Sequence, residues 1–349
     1  MKYLAIGLTF GTVLIILFAT EMLAQEKTDS PDIVVLSKAT GTRKLRGRIL
    51  DYTGDGLQIV LPGGREKMIP PDQIVDVRLG DPSTAQRGAR LAIEAGQFEK
   101  ALSIYYKLLS SGAETRAWVQ RDIRAEMIEC QRALEQYDQA ATSFIRLLED
   151  DPKTPYFSSI PLVWLGGVPF APKTLEDAKL WLSSRQPTAR LLGASFLLTS
   201  PDRERATEEL MQLRENPDTT LSNLATAQWL RTRILKASPK DIRLCQKAIE
   251  GLPVQLRSGP YYVLGQLYAA RKEHRQAAIA MMHVPILFPK QQRLAAESLL
   301  TAGKSMGKSG LHNEAVRMYQ EIISNYPKSI AASEAKQRLQ ELVNQSKES

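Results

Sequence analysis

The sequence predicts a mainly α fold: an α-solenoid of stacked helical hairpins preceded by a small five-stranded β-barrel. Three observations lead there. Four segments place an alanine and, four positions later, an aromatic residue or Met: Ala101 and Tyr105, Ala140 and Phe144, Ala277 and Met281, Ala315 and Tyr319. Three of the four end in proline, at Pro152, Pro289 and Pro327, and the alanines pair at separations of 39 residues (101 to 140) and 38 residues (277 to 315), a period expected of helical-hairpin arrays. Before them, from Ile33 to Leu79, the apolar period is two. Between them, apolar residues keep a helical spacing, as in Leu175, Ala178 and Leu182 or Leu224, Ala227 and Leu230, with breakers at Pro187, Pro201, Pro217, Pro239 and Pro253.

The chain of 349 residues, 43% hydrophobic and 24% charged, has the composition of a folded protein of two or three domains. Residues 1–24 open with Met1 and Lys2, continue as an uncharged, mostly apolar run from Tyr3 to Ala19, and reach small residues at Ala24. That layout suits an export signal cut after Ala24, and equally an uncleaved membrane anchor; both place the body outside the cytoplasm, in a periplasm or cell envelope. Cys130 and Cys245 are the only cysteines; each fits a helical pattern as a small buried side chain, and an exported location would permit a disulfide between them. The net charge of +8 is unevenly spread, about −2 over 81–153, about +4 over 154–258 and about +5 over 259–349. Basic tracts of five or more are absent, which argues against nucleic acid and leaves a solvated surface or weak attraction to an anionic envelope component.

Residues 31–80 alternate, with Leu45, Gly47 and Ile49 set against Arg46 and Arg48, and Leu57, Ile59 and Leu61 in the next run. Turn chemistry at 53–56, 62–64 and 70–71 separates these runs from Ile33–Leu36, Glu66–Ile69 and Ile74–Leu79, making five strands. So short a meander is expected to curl into a barrel and so hide its edges. The stretch from Leu45 to Ile59 resembles the opening of Sm-like and SH3-like barrels, in which a strand glycine permits a sharp bend. Barrels of that shape often bind RNA, but these strands offer no aromatic pair for base stacking, so docking or adaptor duty is the expectation.

The four helical units resemble tetratricopeptide repeats. That resemblance implies a small residue at the eighth position of the first helix, alanine at the twentieth where the second helix crosses, and proline after it. Ala89, Gly265 and Gly303 fill the eighth position and Ala101, Ala140, Ala277 and Ala315 the twentieth; Ile128 departs from the pattern. The unit with Tyr261, Leu264, Gly265, Tyr268, Ala277 and Pro289 matches best, and the segment from Asn313 to Ser329 is similar to repeats of the Tol-Pal cell-division coordinator and the outer-membrane assembly lipoproteins. Repeats are therefore expected over 83–153 and 259–328, degenerate hairpins over 154–258, and a capping helix with a frayed tail over 329–349. Residues 152–172, rich in Pro, Gly and aromatics, are expected to form a long loop over a hydrophobic edge.

Chemical motifs do not survive their context. Gly303 to Gly307 spells G-x-S-x-G around Ser305, and Gly307, Lys308 and Ser309 approach a phosphate-binding loop, but a helical pattern rather than a strand leads into both. The only histidines, His274, His283 and His312, have no metal-ligand spacing; His274 and His312 occupy equivalent turns. The expectation is a protein without catalytic residues, metal or small-molecule cofactor.

By the resemblance, the concave wall is lined by Gln86, Arg90, Glu129 and Arg132 in the first pair of units and by Tyr262, Gln266, Lys304 and Lys308 in the second. Tyr262 with the two lysines would hold a partner segment by aromatic packing and charge pairing. The lysine and asparagine carboxylate clamp of chaperone-binding repeats is missing, which argues against capture of a free carboxyl end. The expected function is an exported protein–protein interaction scaffold, with an envelope polysaccharide or membrane-surface binder as the alternative.

Overall fold

The structure is a computed structural model that describes residues 30–38, 41–168 and 170–348; the expected signal or anchor over 1–24 and the end of the tail lie outside the described residues or side chains. The chain divides into two compact units, Met1–Thr84 and Ala85–Ser349. No described helix is long and apolar enough to cross a membrane.

The first unit is an antiparallel sheet of β1 (Asp32–Lys38), β2 (Gly41–Thr53), β3 (Gly56–Val60), β4 (Glu66–Ile69) and β5 (Ile74–Arg78), in the order β4-β3-β2-β1-β5. The alternation is realised in β2, where Leu45, Gly47 and Ile49 are buried between exposed arginines. β2 pairs with β1 through its first half and with β3 through its second, and it changes partner at Gly47. A Cβ there would overlap the carbonyl oxygen of Val60, so only glycine lets the strands approach at the bend. The buried carboxylate of Asp32 accepts from the amides of Ile49 and Gly80, both at 2.9 Å, and ties the strand start to the sheet's far end. β4 and β5 form the two edges and share no ladder among the described residues, so the observed sheet stops short of the closed barrel expected from its length.

The second unit is mainly helical, with α1 (Thr84–Glu94), α2 (Phe98–Ser110), α3 (Ala117–Ala133), α4 (Tyr137–Asp150), α5 (Pro172–Leu182), α6 (Pro187–Leu197), α7 (Arg203–Leu213), α8 (Thr219–Leu230), α9 (Pro239–Glu250), α10 (Ser258–Ala270), α11 (His274–Leu287), α12 (Gln292–Lys308), α13 (His312–Asn325) and α14 (Ile330–Glu348). From α5 to α14 each helix packs on its neighbour in sequence, with further contacts between α6 and α8, α8 and α10, α10 and α12, and α12 and α14, the neighbour-dominated pattern of a stacked array. Ala101, Ala140, Ala277 and Ala315 are all fully buried, as are Tyr105, Phe144 and Met281. The reason the two positions recur together is visible at the first helix of each pair: a Cβ on Gly265 would meet Met281 at 2.6 Å, and one on Gly303 would meet Tyr319 at 2.6 Å. The glycine makes room for the bulky side chain four residues beyond the alanine. Ile128, the exception, is buried in one core with Ala140 and Phe144.

The repeat also shows in its turns. Gly96, Glu135, Lys272 and Gly310 each lie five residues before the buried alanine, and all four have left-handed backbone, with φ of 71°, 60°, 62° and 77°. In each the next amide donates to the carbonyl five residues back, Gln97 to Ala92, Gln136 to Gln131, Glu273 to Tyr268 and Leu311 to Met306, at 2.8–3.0 Å. Glycine satisfies this conformation without strain, whereas Lys272 and Glu135 adopt it against a cost of about 1–2 kcal/mol. Lys272→Gly is therefore expected to stabilise the unit by about 0.5–1 kcal/mol, since part of the relief is lost to the freer unfolded chain. Chemical denaturation checks this; a destabilised variant would contradict the turn assignment.

Residues 152–171 depart from expectation. Their described residues hold only a short 3-10 turn at Phe157–Ser159, and rather than lying over an edge they thread the core: Ile160, Leu162, Val163 and Leu165 are buried with side chains of α4, α6 and α8. A chain without helical hydrogen bonds is tolerated there because side chains supply them. Ser195 Oγ on α6 accepts from the Val163 amide at 2.8 Å and donates to the Val163 carbonyl at 3.2 Å, and the fully buried Gln228 on α8 donates to the same carbonyl at 3.0 Å.

Candidate functional site

The threaded strap carries Trp164, and two cavities meet its indole. The first, about 410 Å³, is walled by α1, α3, the strap and the start of α12. Ile93, Phe98, Leu162, Trp164, Leu165 and Leu294 give it an apolar floor, while Arg90, Glu129, Arg132, Lys290 and Arg293 bring charge. Its two sides are far apart in sequence. Arg293 donates to Glu135 at 2.5 Å, an ion pair spanning 158 positions that ties the α3–α4 turn to the start of α12. The second cavity, about 250 Å³, is lined by Trp164, Leu198, Thr199, Arg203, Arg231, Tyr262 and Gln266 among others. A third, about 660 Å³, lies among α2, α3, α4 and α5 and contains no side chain of the predicted wall.

The eight predicted side chains therefore do not form one continuous wall. Arg90, Glu129 and Arg132 line the first cavity and Tyr262 and Gln266 the second. Gln86 is only 1% exposed and faces the interior, so it lines neither. Lys304 is paired with Glu334 of α14 at 2.6 Å, and Lys308 is exposed; neither lines the cavity that Tyr262 lines. The threaded strap is the physical reason: it occupies the middle of the stack, where an open wall was expected, and replaces helix-borne side chains with its own.

Charge in the first cavity is largely committed. Arg90 forks between Asp122 at 2.8 Å and Glu126 at 2.9 Å, and Tyr105 donates its hydroxyl to the other oxygen of Glu126. Burial works against the Arg90 cation, but Glu126 and Asp122 outweigh it and hold its pKa above the ordinary value. Burial, then Glu126, pushes the Tyr105 phenol well above its usual range, so it stays protonated as donor. Glu129 accepts from Arg132 at 2.8 Å. Cys130, at the cavity's edge, is raised to about 12 by burial and then by Glu126 and Glu129; both Cys130 and Cys245 are buried and unpaired, so the permitted disulfide is not formed. Lys290 stands apart as an exposed cation with no ion pair among the described residues.

Near the second cavity, Gln266 Nε2 donates to the Tyr262 hydroxyl at 3.0 Å, and burial followed by Glu297 raises Tyr262 to about 12. Ser305 sits inside α12 and is 3% exposed, so the strained strand-to-helix turn that a nucleophile elbow needs is not its surroundings. His274 and His312 are each the first residue of a second helix, α11 and α13, which accounts for them by turn geometry. Among the described residues no cluster of three potential metal ligands occurs.

Sequence reasoning missed Trp164, Arg203, Arg231 and Arg293. Only Trp164 carried a signal, as an aromatic in a segment too rich in Pro and Gly to be helical.

Comparison with known proteins bears on the last hairpin. Residues 297–329, spanning most of α12, α13 and the proline that follows, match the tetratricopeptide repeat family. No curated protein matches the chain. Among solved structures, the C-terminal part of a tetratricopeptide repeat-containing protein from Cytophaga hutchinsonii aligns at 16% identity and a TM-score of 0.30, covering 68% of this chain and 78% of that one. An assembly chaperone of RpL4, residues 1–338, aligns at 11% identity and a TM-score of 0.32, covering 76% of this chain and 99% of that one. Similarity this remote transfers no site from either protein.

Proposed function

We propose that this chain is a non-catalytic interaction scaffold of the bacterial cell envelope that holds a short segment of a partner protein in the first cavity. The observation behind this reading is the cavity's construction: an apolar floor of Ile93, Phe98, Leu162 and Trp164, assembled from helices and strap far apart in sequence, with Lys290 as an uncommitted cation at its side. A segment with one large apolar side chain followed by a carboxylate fits that chemistry. The tetratricopeptide match over 297–329 supports a stacked-repeat binding module. Export rests on the composition of residues 1–24, and the small five-stranded sheet would dock a second component.

The test is recovery of a partner from envelope extract by the full chain. One protein recovered at fixed stoichiometry, reduced at least fivefold by Ile93→Asp and by Lys290→Glu, is the expected result. Ile93 is half-buried at the cavity and Lys290 exposed, so neither replacement removes core packing. Retention on wall material or anionic vesicles alone would favour the polysaccharide or membrane-surface alternative and overturn this reading. Amino-terminal sequencing of the protein from fractionated cells tests the location separately.

A further inference from the structure

We propose that the second cavity is a binding site for a tetrahedral oxyanion, a phosphate group either free or as the monoester of a small body. Its walls bring together Arg203, the first residue of α7, and Arg231, the first residue of the 3-10 turn Arg231–Lys236 after α8, with no acidic side chain among the residues lining it. Several other arginines of this unit find carboxylates, Arg90 with Asp122, Arg132 with Glu129, Arg233 with Asp241 and Arg293 with Glu135, while Arg214 lies over the Trp229 ring and Arg257 donates to backbone carbonyls. Arg203 and Arg231 make no ion pair among the described residues. Two guanidinium groups lining one recess repel each other unless a counter-anion sits between them.

Arg231 is held in place by a buried partner, while Arg203 reaches the recess from the exposed start of α7. Arg231 Nη1 donates to Gln228 Oε1 at 2.6 Å, and Gln228, fully buried, is held by its own bond to the Val163 carbonyl. That leaves other guanidinium donors of Arg231 for a ligand. The Tyr262 hydroxyl accepts from Gln266, so its hydrogen is free to donate, and Thr199 adds a hydroxyl. Donors thus arrive from the turn before α7, the turn after α8 and from α10, which suits a tetrahedral group better than a planar carboxylate served by one fork. Burial, with Arg203 adding to it and Tyr262 opposing, lowers Arg231 to about 10, so the residue remains a cation near neutrality. Glu297, the acid that acts on Tyr262, comes from α12 and lines neither the cavity nor its arginines. At about 250 Å³ the cavity exceeds a bare phosphate and leaves space against Trp164 and Leu198 for a small organic body. The inference is independent of whether a protein segment occupies the first cavity.

Calorimetric titration of the full chain, with tryptophan emission followed in parallel, provides the test. Inorganic phosphate, phenyl phosphate and benzoate are compared at constant ionic strength set with chloride. Saturable binding of both phosphates, weakened at least tenfold by Arg203→Gln and by Arg231→Gln and less by Arg231→Lys, is expected. Phenyl phosphate binding at least threefold tighter than phosphate assigns the site to monoesters, and equal binding assigns it to the free anion. Arg203 is exposed at the start of α7, so Arg203→Gln folds even if Arg231→Gln does not. Phosphate responses no larger than chloride's, benzoate binding as tightly as phenyl phosphate, or unaltered phosphate binding by Arg203→Gln would overturn the assignment.

Discussion

Gly259→Ala is expected to lower the stability of the helical unit by about 2–3 kcal/mol and to dismantle the first cavity, because the added methyl would fall inside the indole of Trp164. Gly259 is buried in the first turn of α10, and Trp164 is the residue on which both cavities converge. The ring cannot slide along the helix: the neighbouring Val163 is clamped at its amide by Ser195 and at its carbonyl by Ser195 and Gln228. It must rotate into solvent or into the cavity, so the melting temperature should fall by roughly 4–12 °C, on the scaling for domains of this size. Tryptophan emission should shift to the red. Trp164→Ala supplies the control: with the indole gone, the methyl finds space, and Gly259→Ala added to it should cost under about 0.5 kcal/mol, a coupling of the kind found for residues in contact. Equal costs in both backgrounds would mean that the strap does not pack where it is placed here. Partner recovery should fall with Gly259→Ala even at temperatures where the fold persists, since the cavity floor moves with the ring.

How much of this was legible in the sequence depends on whether a feature is local or long-range. The alternation of Leu45, Gly47 and Ile49 and the buried alanines at 101, 140, 277 and 315 are set by periods of two and of about one helical turn, which a single chain displays directly. The left-handed turns were half legible: Gly96 and Gly310 advertise them, whereas Glu135 and Lys272 take the same backbone with side chains that disguise it. Pro285 inside α11 is similarly disguised, because a proline read in isolation marks a boundary rather than a helix interior. The site was less legible. Side chains on a repeat's inner wall can be numbered from a consensus, but a consensus has no position for a segment such as 160–165, whose burial depends on hydroxyl and amide groups 32 and 65 residues downstream. Once the strap fills the middle of the stack, residues assigned to one wall separate into two cavities, and Lys304 turns to Glu334 instead. Arg203 and Arg231 gave no signal, since nothing in their flanking residues distinguishes an arginine that lacks a carboxylate from one that has found it.

The degenerate hairpins of 154–258 supply the second large effect, at Gly193. A Cβ on this residue of α6 would lie 2.5 Å from the Ala178 carbonyl oxygen and 2.6 Å from the Leu182 nitrogen, both backbone atoms of α5. Backbone of a hydrogen-bonded helix cannot rotate aside as a side-chain terminus can, so Gly193→Ala must push α5 and α6 apart and open a gap along their contact. Overpacking of this kind costs about 1–3 kcal/mol and occasionally more, and separation of the helices adds lost contacts among Ala178, Leu182, Leu192 and Phe196. Alanine recovers about 1 kcal/mol as a better helix former, which with the lost contacts leaves a net loss of about 1–2 kcal/mol. Gly307→Ala in α12 isolates the propensity term: its methyl would meet only the Ala315 methyl, at an ordinary 3.9 Å, so that variant should be neutral or up to about 1 kcal/mol more stable. Because the array is stacked from neighbour contacts, the damage should remain near its origin. Amide hydrogen exchange ought to accelerate in α5, α6 and the strap, whose Val163 depends on Ser195 of α6, while α13 and α14 exchange as in the parent protein. If Gly193→Ala instead matched Gly307→Ala in stability, α5 and α6 could not cross at Gly193, and the proposed continuity of the stack through its least repeat-like part would fail at that point.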